Sequence, residues 1–150
     1  MNRSKAAGTA AESAVVKWLH AKGWPDAKRI TLHGSDDQGD VWVTRSFIIE
    51  VKVRGPRSSN AGLGQPGDTE LEGWLQELEV EMENSGAKHG FLIVKRKGTT
   101  DPGRWWAYTR LGTLVPKQGK LSGTPVCLNA DAMLEIIGRR VKNMSWARVS

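Results

Sequence analysis

The sequence predicts an α/β fold in which helices flank a mixed β-sheet, with elements in the order α-β-β-β-α-β-β-α. Apolar residues recur at helical spacing near the N-terminus and again after residue 70. Between these stretches, residues 47–53 alternate strictly between two faces, which is typical of a β-strand. A run of strands followed by a helix and further strands favours a mixed sheet covered by helices. We expect one domain over residues 1–150, a length near the commonest domain size.

The first helix is expected over residues 10–22. Its apolar stripe has the spacing of an amphipathic helix and consists of Ala11, Ala14, Val15, Trp18 and Leu19. Thr9 and Glu12 have the spacing of a capping box, which predicts where the helix begins. Gly23, followed by Pro25, predicts its end.

Three short strands are expected next, at residues 29–32, 41–44 and 47–53. Residues 33–40 are rich in turn formers and are predicted to form a loop. The third strand places Phe47, Ile49, Val51 and Val53 on one face and Ile48, Glu50, Lys52 and Arg54 on the other. Residues 54–68 are rich in Gly, Pro, Ser and Arg, which indicates a long loop of the kind that is often functional.

The second half of the chain begins with a helix, whose apolar residues are Leu71, Trp74, Leu75, Leu78 and Met82. Strands are expected at residues 90–94 and 104–108, then a turn-rich stretch, then a last helix at residues 130–142. We expect the core of the domain to span about residues 3–110. Residues 111–150 are expected to form a C-terminal extension of strand and helix, to which the sequence assigns no role.

Composition narrows the class of protein. The chain has 39% hydrophobic and 25% charged residues, as an ordinary globular protein does. Its single cysteine, Cys127, excludes an internal disulfide and lies in an apolar run, where we expect a small core residue. No stretch approaches the roughly 20 apolar residues that span a bilayer, and the first residues lack the apolar segment of a secretory signal. We therefore expect a cytoplasmic protein.

Charge is unevenly distributed along the chain, whose net charge is +6. Residues 68–83 carry seven acids and no base, whereas residues 84–150 carry twelve bases and three acids. A basic surface favours a polyanionic partner, because neutralised phosphates release counterions. Many basic proteins bind no nucleic acid, so charge alone does not decide the partner.

The chemistry-bearing residues cluster around the third strand. Glu50 and Lys52 lie two residues apart, so their Cα atoms are about 6.5 Å apart on the same face. That face could be simply solvated, but Ile48 shares it. Asp40 comes just before the neighbouring strand, and Glu12 lies at the edge of the first helix's apolar stripe. We therefore expect the three carboxylates and the lysine to lie close together.

Such a set suits hydrolysis of a phosphodiester bond. Magnesium prefers carboxylate oxygens and retains several waters. It polarises a phosphate oxygen and lowers the pKa of a bound water. A neighbouring lysine can orient that water or stabilise the charge that develops at phosphorus.

The same residues carry a resemblance to a known superfamily. Gly39-Asp40 followed by Glu50-Val51-Lys52 resembles the PD-(D/E)XK nuclease signature, with Gly39 in place of the usual proline. Within that superfamily, the order of the features resembles archaeal-type Holliday-junction resolvases. These features are the basic N-terminus from Arg3 to Lys5, Glu12, Gly23-Trp24, Arg29, Gly34-Ser35, Gly39-Asp40 and Ile49 to Val53. The resemblance covers about residues 3–110 and implies a restriction-endonuclease-like fold.

The resemblance implies roles for the clustered residues. Asp40 and Glu50 would be metal ligands, and Glu12 would assist metal or water binding. Lys52 would handle the attacking water. The implied cofactor is Mg²⁺, for which Mn²⁺ can substitute. The implied assembly is a homodimer that cuts branched DNA symmetrically.

Two further residues have implied roles at the phosphate. Ser35 and Arg29 would contact it near the scissile bond. Ser35 could instead cap a turn, and Arg29 could instead form a surface salt bridge. Asp36 and Asp37 could replace Asp40 as ligands, but only Asp40 adjoins a strand.

Basic residues outside the cluster are candidate DNA contacts. Arg3 and Lys5 precede the first helix. Arg54 and Arg57 directly follow the strand at residues 47–53, which carries Glu50 and Lys52. The loop that holds the last two could equally be a plain linker. Residues 95–97, Lys-Arg-Lys, could extend the basic surface or form a solvated turn.

We therefore predict a metal-dependent, structure-selective endonuclease that acts on branched DNA. Two alternatives stay open. One is a restriction-like or nicking enzyme on ordinary duplex, although the sequence shows no specificity domain. The other is a DNA-binding module without catalysis. The sequence does not determine the preferred junction, the pathway or whether one or two metal ions bind.

Overall fold

The computed structural model describes residues 3–30, 40–53 and 64–149, without the side chains of residues 3–5 and 145–149. Within these ranges the chain forms four α-helices and six strands. They are α1 (Arg3–Ala21), β1 (Lys28–Arg29), β2 (Val41–Thr44), β3 (Phe47–Lys52), α2 (Asp68–Ser85), β4 (His89–Val94), β5 (Trp106–Arg110), α3 (Leu111–Leu114), β6 (Pro125–Asn129) and α4 (Ala130–Val149). The α/β class and the predicted order of its main elements are confirmed.

The six strands form one mixed sheet in the order β1-β2-β3-β4-β5-β6. Neighbouring strands are antiparallel except β3 and β4, which are parallel. A parallel pair needs a crossover connection, and α2 lies within it. The sheet buries both faces: α1 and α4 pack on one side, and α2 packs on the other. None of the helices in the described ranges has the length and apolar character needed to cross a bilayer.

Strand β3 is the centre of both cores, because its alternating side chains enter opposite faces. Phe47, Ile49 and Val51 join the larger core, which α1 and α4 cover. Ile48 joins the smaller core beneath α2. The alternation predicted for this strand is therefore confirmed, and the face that carries Glu50 and Lys52 is covered by a helix rather than by solvent alone.

Helix α1 begins earlier than predicted. It starts at Arg3 rather than at residue 10, so Glu12 lies in the middle of the helix and the capping box with Thr9 is wrong. Residues 3–9 contain alanines and long basic side chains, which favour helix and extend it towards the N-terminus. The predicted stop is confirmed, since Gly23 adopts a positive φ of 95°.

The C-terminal stretch contributes more to the fold than its sequence indicated. The extension contains β6, which pairs with β5 at the edge of the sheet and adds a sixth strand to the five of the predicted order. Its first residue is Pro125, and an edge strand tolerates proline there because no ladder hydrogen bond is lost. Helix α4 adds residues to the larger core, among them Met133 and Ile137. Cys127 is exposed on β6, so its expected place in the core is wrong.

Replacing two glycines, one inside α2 and one directly after it, should change the free energy of unfolding in opposite directions. Gly86 ends the helix with a left-handed φ of 73°, where a Cβ is disfavoured. Gly73 lies inside the helix, and a Cβ there would meet no atom within 4 Å. We expect Gly86→Ala to lower the free energy of unfolding by about 1 kcal/mol and Gly73→Ala to raise it by up to about 1 kcal/mol. Urea unfolding of both variants checks the pair, and shifts of the same sign would contradict it.

Candidate active site

The register of β2 and β3 brings two carboxylates to opposite positions. Val41 pairs with Ile49, so Asp40, one residue earlier, lies opposite Glu50. The backbone carbonyl of Asp40 accepts a hydrogen bond from Ile30 N–H at 3.0 Å, which ties Asp40 to the strand on its other side. Its side-chain Oδ2 accepts the N–H of Val51 at 2.7 Å. Asp40 is thus held between two neighbouring stretches of backbone.

Glu50 is the more deeply buried of the two carboxylates. It is 3% exposed, although it carries an ionisable group. One oxygen, Oε1, lies 3.2 Å from Lys52 Nζ. The other, Oε2, is buried and has no hydrogen-bond partner among the described residues. Burying a carboxylate oxygen without a hydrogen-bond partner costs free energy, and such exceptions are typical of groups that bind an ion or take part in catalysis.

The proximity of the carboxylates affects the pKa of Asp40. The pKa of Asp40 is raised from 3.8 to about 8. Burial is the largest cause, and the negative charge of Glu50 is the next. The N–H of Val51 lowers the pKa, while the charge of Glu12 raises it again. Asp40 therefore keeps its proton below about pH 8, and its ionised form lacks full compensation from the protein.

Glu12 reaches this site from α1 and has its own basic partner. Arg29, on β1, lies against Glu12 Oε2 through Nε at 3.0 Å and Nη2 at 2.9 Å. Of the two readings left open for Arg29, the structure therefore shows the salt bridge. Because the Glu12 side chain is 18% exposed, the pair lies at the rim of the site rather than beneath it.

Lys52 is the cation of the cluster. Its Nζ lies between Glu50 Oε1 at 3.2 Å and Glu77 Oε2 at 2.8 Å. Burial lowers the pKa of Lys52, but the hydrogen bond to Glu77 and the charge of Glu50 outweigh burial and raise the pKa above its ordinary value. Lys52 is therefore protonated. It can donate hydrogen bonds and stabilise negative charge, but it is a poor proton acceptor.

Glu77 was not predicted to be a site residue. In the sequence it is one of the seven acidic residues of the stretch 68–83, and nothing distinguishes it from the others. Leu71, Leu75 and Leu78 set the buried stripe of α2, and Glu77 lies on the flank beside it. The spacing of apolar residues along a helix does not say which strand that flank faces. The crossover connection places the flank over Lys52, so Glu77, 25 positions away, becomes the closest partner of Lys52.

Glu77→Gln is expected to lower kcat about tenfold for the activity of this site, as loss of a supporting partner typically does. The neutral amide holds the Lys52 ammonium less firmly, so the reacting geometry suffers while KM stays within about twofold. Steady-state kinetics measure both constants. Glu79→Gln is the matched control, because Glu79 has the same 54% side-chain exposure but pairs with Arg110 on the other flank of α2. Equal rates for the two variants would contradict a role for Glu77.

The positions of the other predicted site residues, or of their side chains, are not described by the structure. Ser35, Arg54 and Arg57 fall outside the described residues, as do the alternative ligands Asp36 and Asp37. Arg3 and Lys5 lie in the first two turns of α1, but their side chains are not described. Their predicted contacts with DNA stay predictions. The residues that the structure brings together are Glu12, Asp40, Glu50 and Lys52.

Within the described ranges, no group of three or more His, Cys, Asp and Glu side chains is arranged to hold a metal ion. Arg29 engages Glu12, and Lys52 engages one oxygen of Glu50. Asp40 and Glu50 are left as the pair that could hold a cation. Two carboxylates suffice for Mg²⁺, because water fills its other positions.

Comparison with known protein families, with curated proteins and with solved structures finds no match to this chain.

Proposed function

We propose that this chain is a divalent-metal-dependent endonuclease that hydrolyses phosphodiester bonds in branched DNA. The observation that carries the proposal is the pair of carboxylates formed by Glu50, which is buried on β3, and Asp40, which is partly buried directly before β2, with the protonated Lys52 beside it. Two carboxylates and an ammonium group at this spacing suit in-line attack of water on a phosphate. The resemblance of the residues around them to the PD-(D/E)XK signature supports the same activity.

The residues present fit a hard divalent cation. Glu50 Oε2 is a buried acceptor with no partner among the described residues. The pKa of Asp40 is raised by burial and by its carboxylate neighbours, as expected where a positive charge is missing. Asp40 and Glu50 would hold the ion, and Glu12 would assist. A bound Mg²⁺ or Mn²⁺ would supply a water of lowered pKa and polarise the phosphate.

The chain's own residues then have distinct tasks. Lys52 donates hydrogen bonds and places positive charge beside the phosphate, where negative charge grows during attack. Glu77 holds the lysine against the sheet through the 2.8 Å contact. Arg29 holds Glu12 at the rim of the site. The N–H of Val51 fixes the carboxylate of Asp40.

Branched DNA as the substrate follows from the resemblance to junction resolvases, and so does a homodimer with two sites related by a two-fold axis. The basic charge of the chain supports DNA as the partner. Action in the cytoplasm stays a prediction.

The decisive assay is cleavage of a synthetic four-way junction in Mg²⁺ by the wild type, Glu50→Ala and Lys52→Ala. We expect cutting by the wild type alone and none in EDTA. Equal cutting by all three proteins would rule the assignment out. Competition between the junction and a linear duplex at moderate salt separates a resolvase from a duplex-nicking enzyme. Calorimetry with Mn²⁺ addresses the binding-only alternative, which need not take up metal at these carboxylates.

A further inference from the structure

The basic segment Lys95-Arg96-Lys97 lies directly beside the candidate active site. Lys52 pairs with Val94 in the parallel register of β3 and β4. The next residue, Lys95, donates its backbone N–H to the carbonyl of Lys52 at 2.9 Å. The segment therefore leaves the sheet at the same end as Lys52. Of the two readings left open by the sequence, this position favours an extension of the site's basic surface over an isolated solvated turn.

Arg96 is held by an aromatic ring. Its guanidinium carbon lies 4.5 Å from the centroid of the Trp106 ring. Trp106 pairs with Val94, which in turn pairs with Lys52, so the three residues form one row across the same face of the sheet. A guanidinium that stacks on a ring is oriented but keeps its N–H edge available for a phosphate. Arg96 is partly exposed, so that edge can be reached from solvent.

Charge pairing distinguishes this segment from the other basic residues near the site. Arg29 pairs with Glu12, and Arg110 pairs with Glu72 and Glu79. In contrast, neither Lys95 nor Arg96 has an ion pair with any acidic side chain in the part of the chain that the structure describes; their contacts are with the rings of Trp105 and Trp106. Unpaired cations bind an incoming anion without first giving up a protein partner.

The acidic helix α2 restricts the path that DNA can take. It covers the same sheet face, and Glu77 on its flank already holds Lys52. Phosphates that crossed α2 would meet its acids, among them Glu72, Glu79 and Glu83. The edge with Lys95 and Arg96 offers the opposite charge. Electrostatics therefore favours a strand that leaves the site past Arg96 rather than over α2.

We propose that Arg96, supported by the Trp106 ring, binds a backbone phosphate one or two nucleotides from the phosphate that is cut. This inference rests on the proposed nuclease function and adds a specific second contact to it. Lys52 and Trp106 are two strands apart, which is about 10 Å at the spacing of a β-sheet. That separation corresponds to one or two nucleotides, because adjacent phosphates of one strand are about 7 Å apart through space, about twice the rise along the duplex axis.

The first test measures binding of a fluorescein-labelled four-way junction by anisotropy, in EDTA so that no cleavage occurs. We expect Arg96→Ala to weaken binding about tenfold, as loss of a charge-assisted phosphate contact does, and to reduce the salt slope by about 1. Lys120→Ala is the matched control, since Lys120 is also exposed, has no ion pair among the described residues and carries the same charge. We expect its affinity to stay within about twofold of the wild type.

The second test identifies the phosphate. Junctions that carry one neutral methylphosphonate, placed in turn at one to five nucleotides on either side of the cut, are bound by the wild type and by Arg96→Ala. We expect one position, at the first or second nucleotide, to weaken the wild type about tenfold and to leave Arg96→Ala unchanged. Suppose that the wild type cuts the junction. The inference is then wrong, and the nuclease function stands, if Arg96→Ala binds the junction as tightly as Lys120→Ala does. The same conclusion holds if the neutral phosphate that weakens binding by the wild type weakens binding by Arg96→Ala equally. If the wild type neither binds nor cuts, the proposed function itself is wrong.

Discussion

Glu50→Gln is expected to lower the rate of junction cleavage in Mg²⁺ about a thousandfold. Glutamine has nearly the same shape but lacks the charge that a metal ligand needs at this position. Because Glu50 is 3% exposed, water cannot easily take its place at the ion. Single-turnover cleavage measures the chemical step directly. Calorimetry with Mn²⁺ should show a matching loss of metal affinity.

The same substitution should leave the fold intact. Above about pH 8, where Asp40 is ionised, Glu50 and Asp40 repel each other in the absence of metal, because the pKa of Asp40 is raised by burial and by the charge of Glu50. Removing one charge should therefore raise the free energy of unfolding in EDTA by about 1 kcal/mol at a pH above this pKa. Glu135→Gln is the control, since the Glu135 side chain is 64% exposed on α4 and pairs only with Arg139 among the described residues. A cleavage rate for Glu50→Gln equal to that of Glu135→Gln would contradict the role of Glu50.

Lys52→Met is expected to lower cleavage several hundredfold while metal binding persists, a loss of about the size seen when one donor at the reacting phosphate is removed. Methionine keeps the unbranched stem but removes the ammonium. Glu50 Oε1 and Glu77 Oε2 then lose the cation that lies between them. Without that competing cation, the carboxylates should bind Mn²⁺ at least as tightly as in the wild type, which calorimetry checks.

The stability of Lys52→Met provides a second, independent readout. In EDTA the variant leaves a buried carboxylate uncompensated, so we expect the free energy of unfolding to fall by about 1 to 2 kcal/mol. The change has the opposite sign to that of Glu50→Gln. Saturating Mg²⁺ should restore much of the loss, because the ion supplies the missing charge. Loss of metal affinity together with cleavage would show that Lys52 supports the fold of the site rather than the reaction.

The sequence predicted the site best where the relevant structure is local. Alternation along residues 47–53 placed Glu50 and Lys52 on one face, and the short connection to the preceding strand placed Asp40 opposite Glu50. Both inferences depend on the two-residue period of a strand and on hairpin pairing, which few tertiary contacts can override. Helical spacing likewise identified the buried stripe of α1, although it missed where that helix begins.

Other features depend on segments that meet only after folding. The sequence predicted a strand within the C-terminal extension but not the position of β6, since an edge strand needs little strand propensity when a neighbour supplies its hydrogen bonds. The exposure of Cys127 follows from that edge position. The salt bridge between Glu12 and Arg29 depends on how α1 lies across the sheet, which neither segment's sequence specifies.

The amino-acid sequence by itself determined the α/β class, the order of the main elements, and the placement of Glu50 and Lys52 on one strand face with Asp40 nearby. Periodicity and short connections decide these features because they are properties of neighbouring residues. The tertiary structure alone decided that Glu77 faces Lys52 and that Arg96 stacks on Trp106 beside the site. Those contacts depend on the crossover through α2 and on the strand order, which bring distant residues together through packing that no local pattern records.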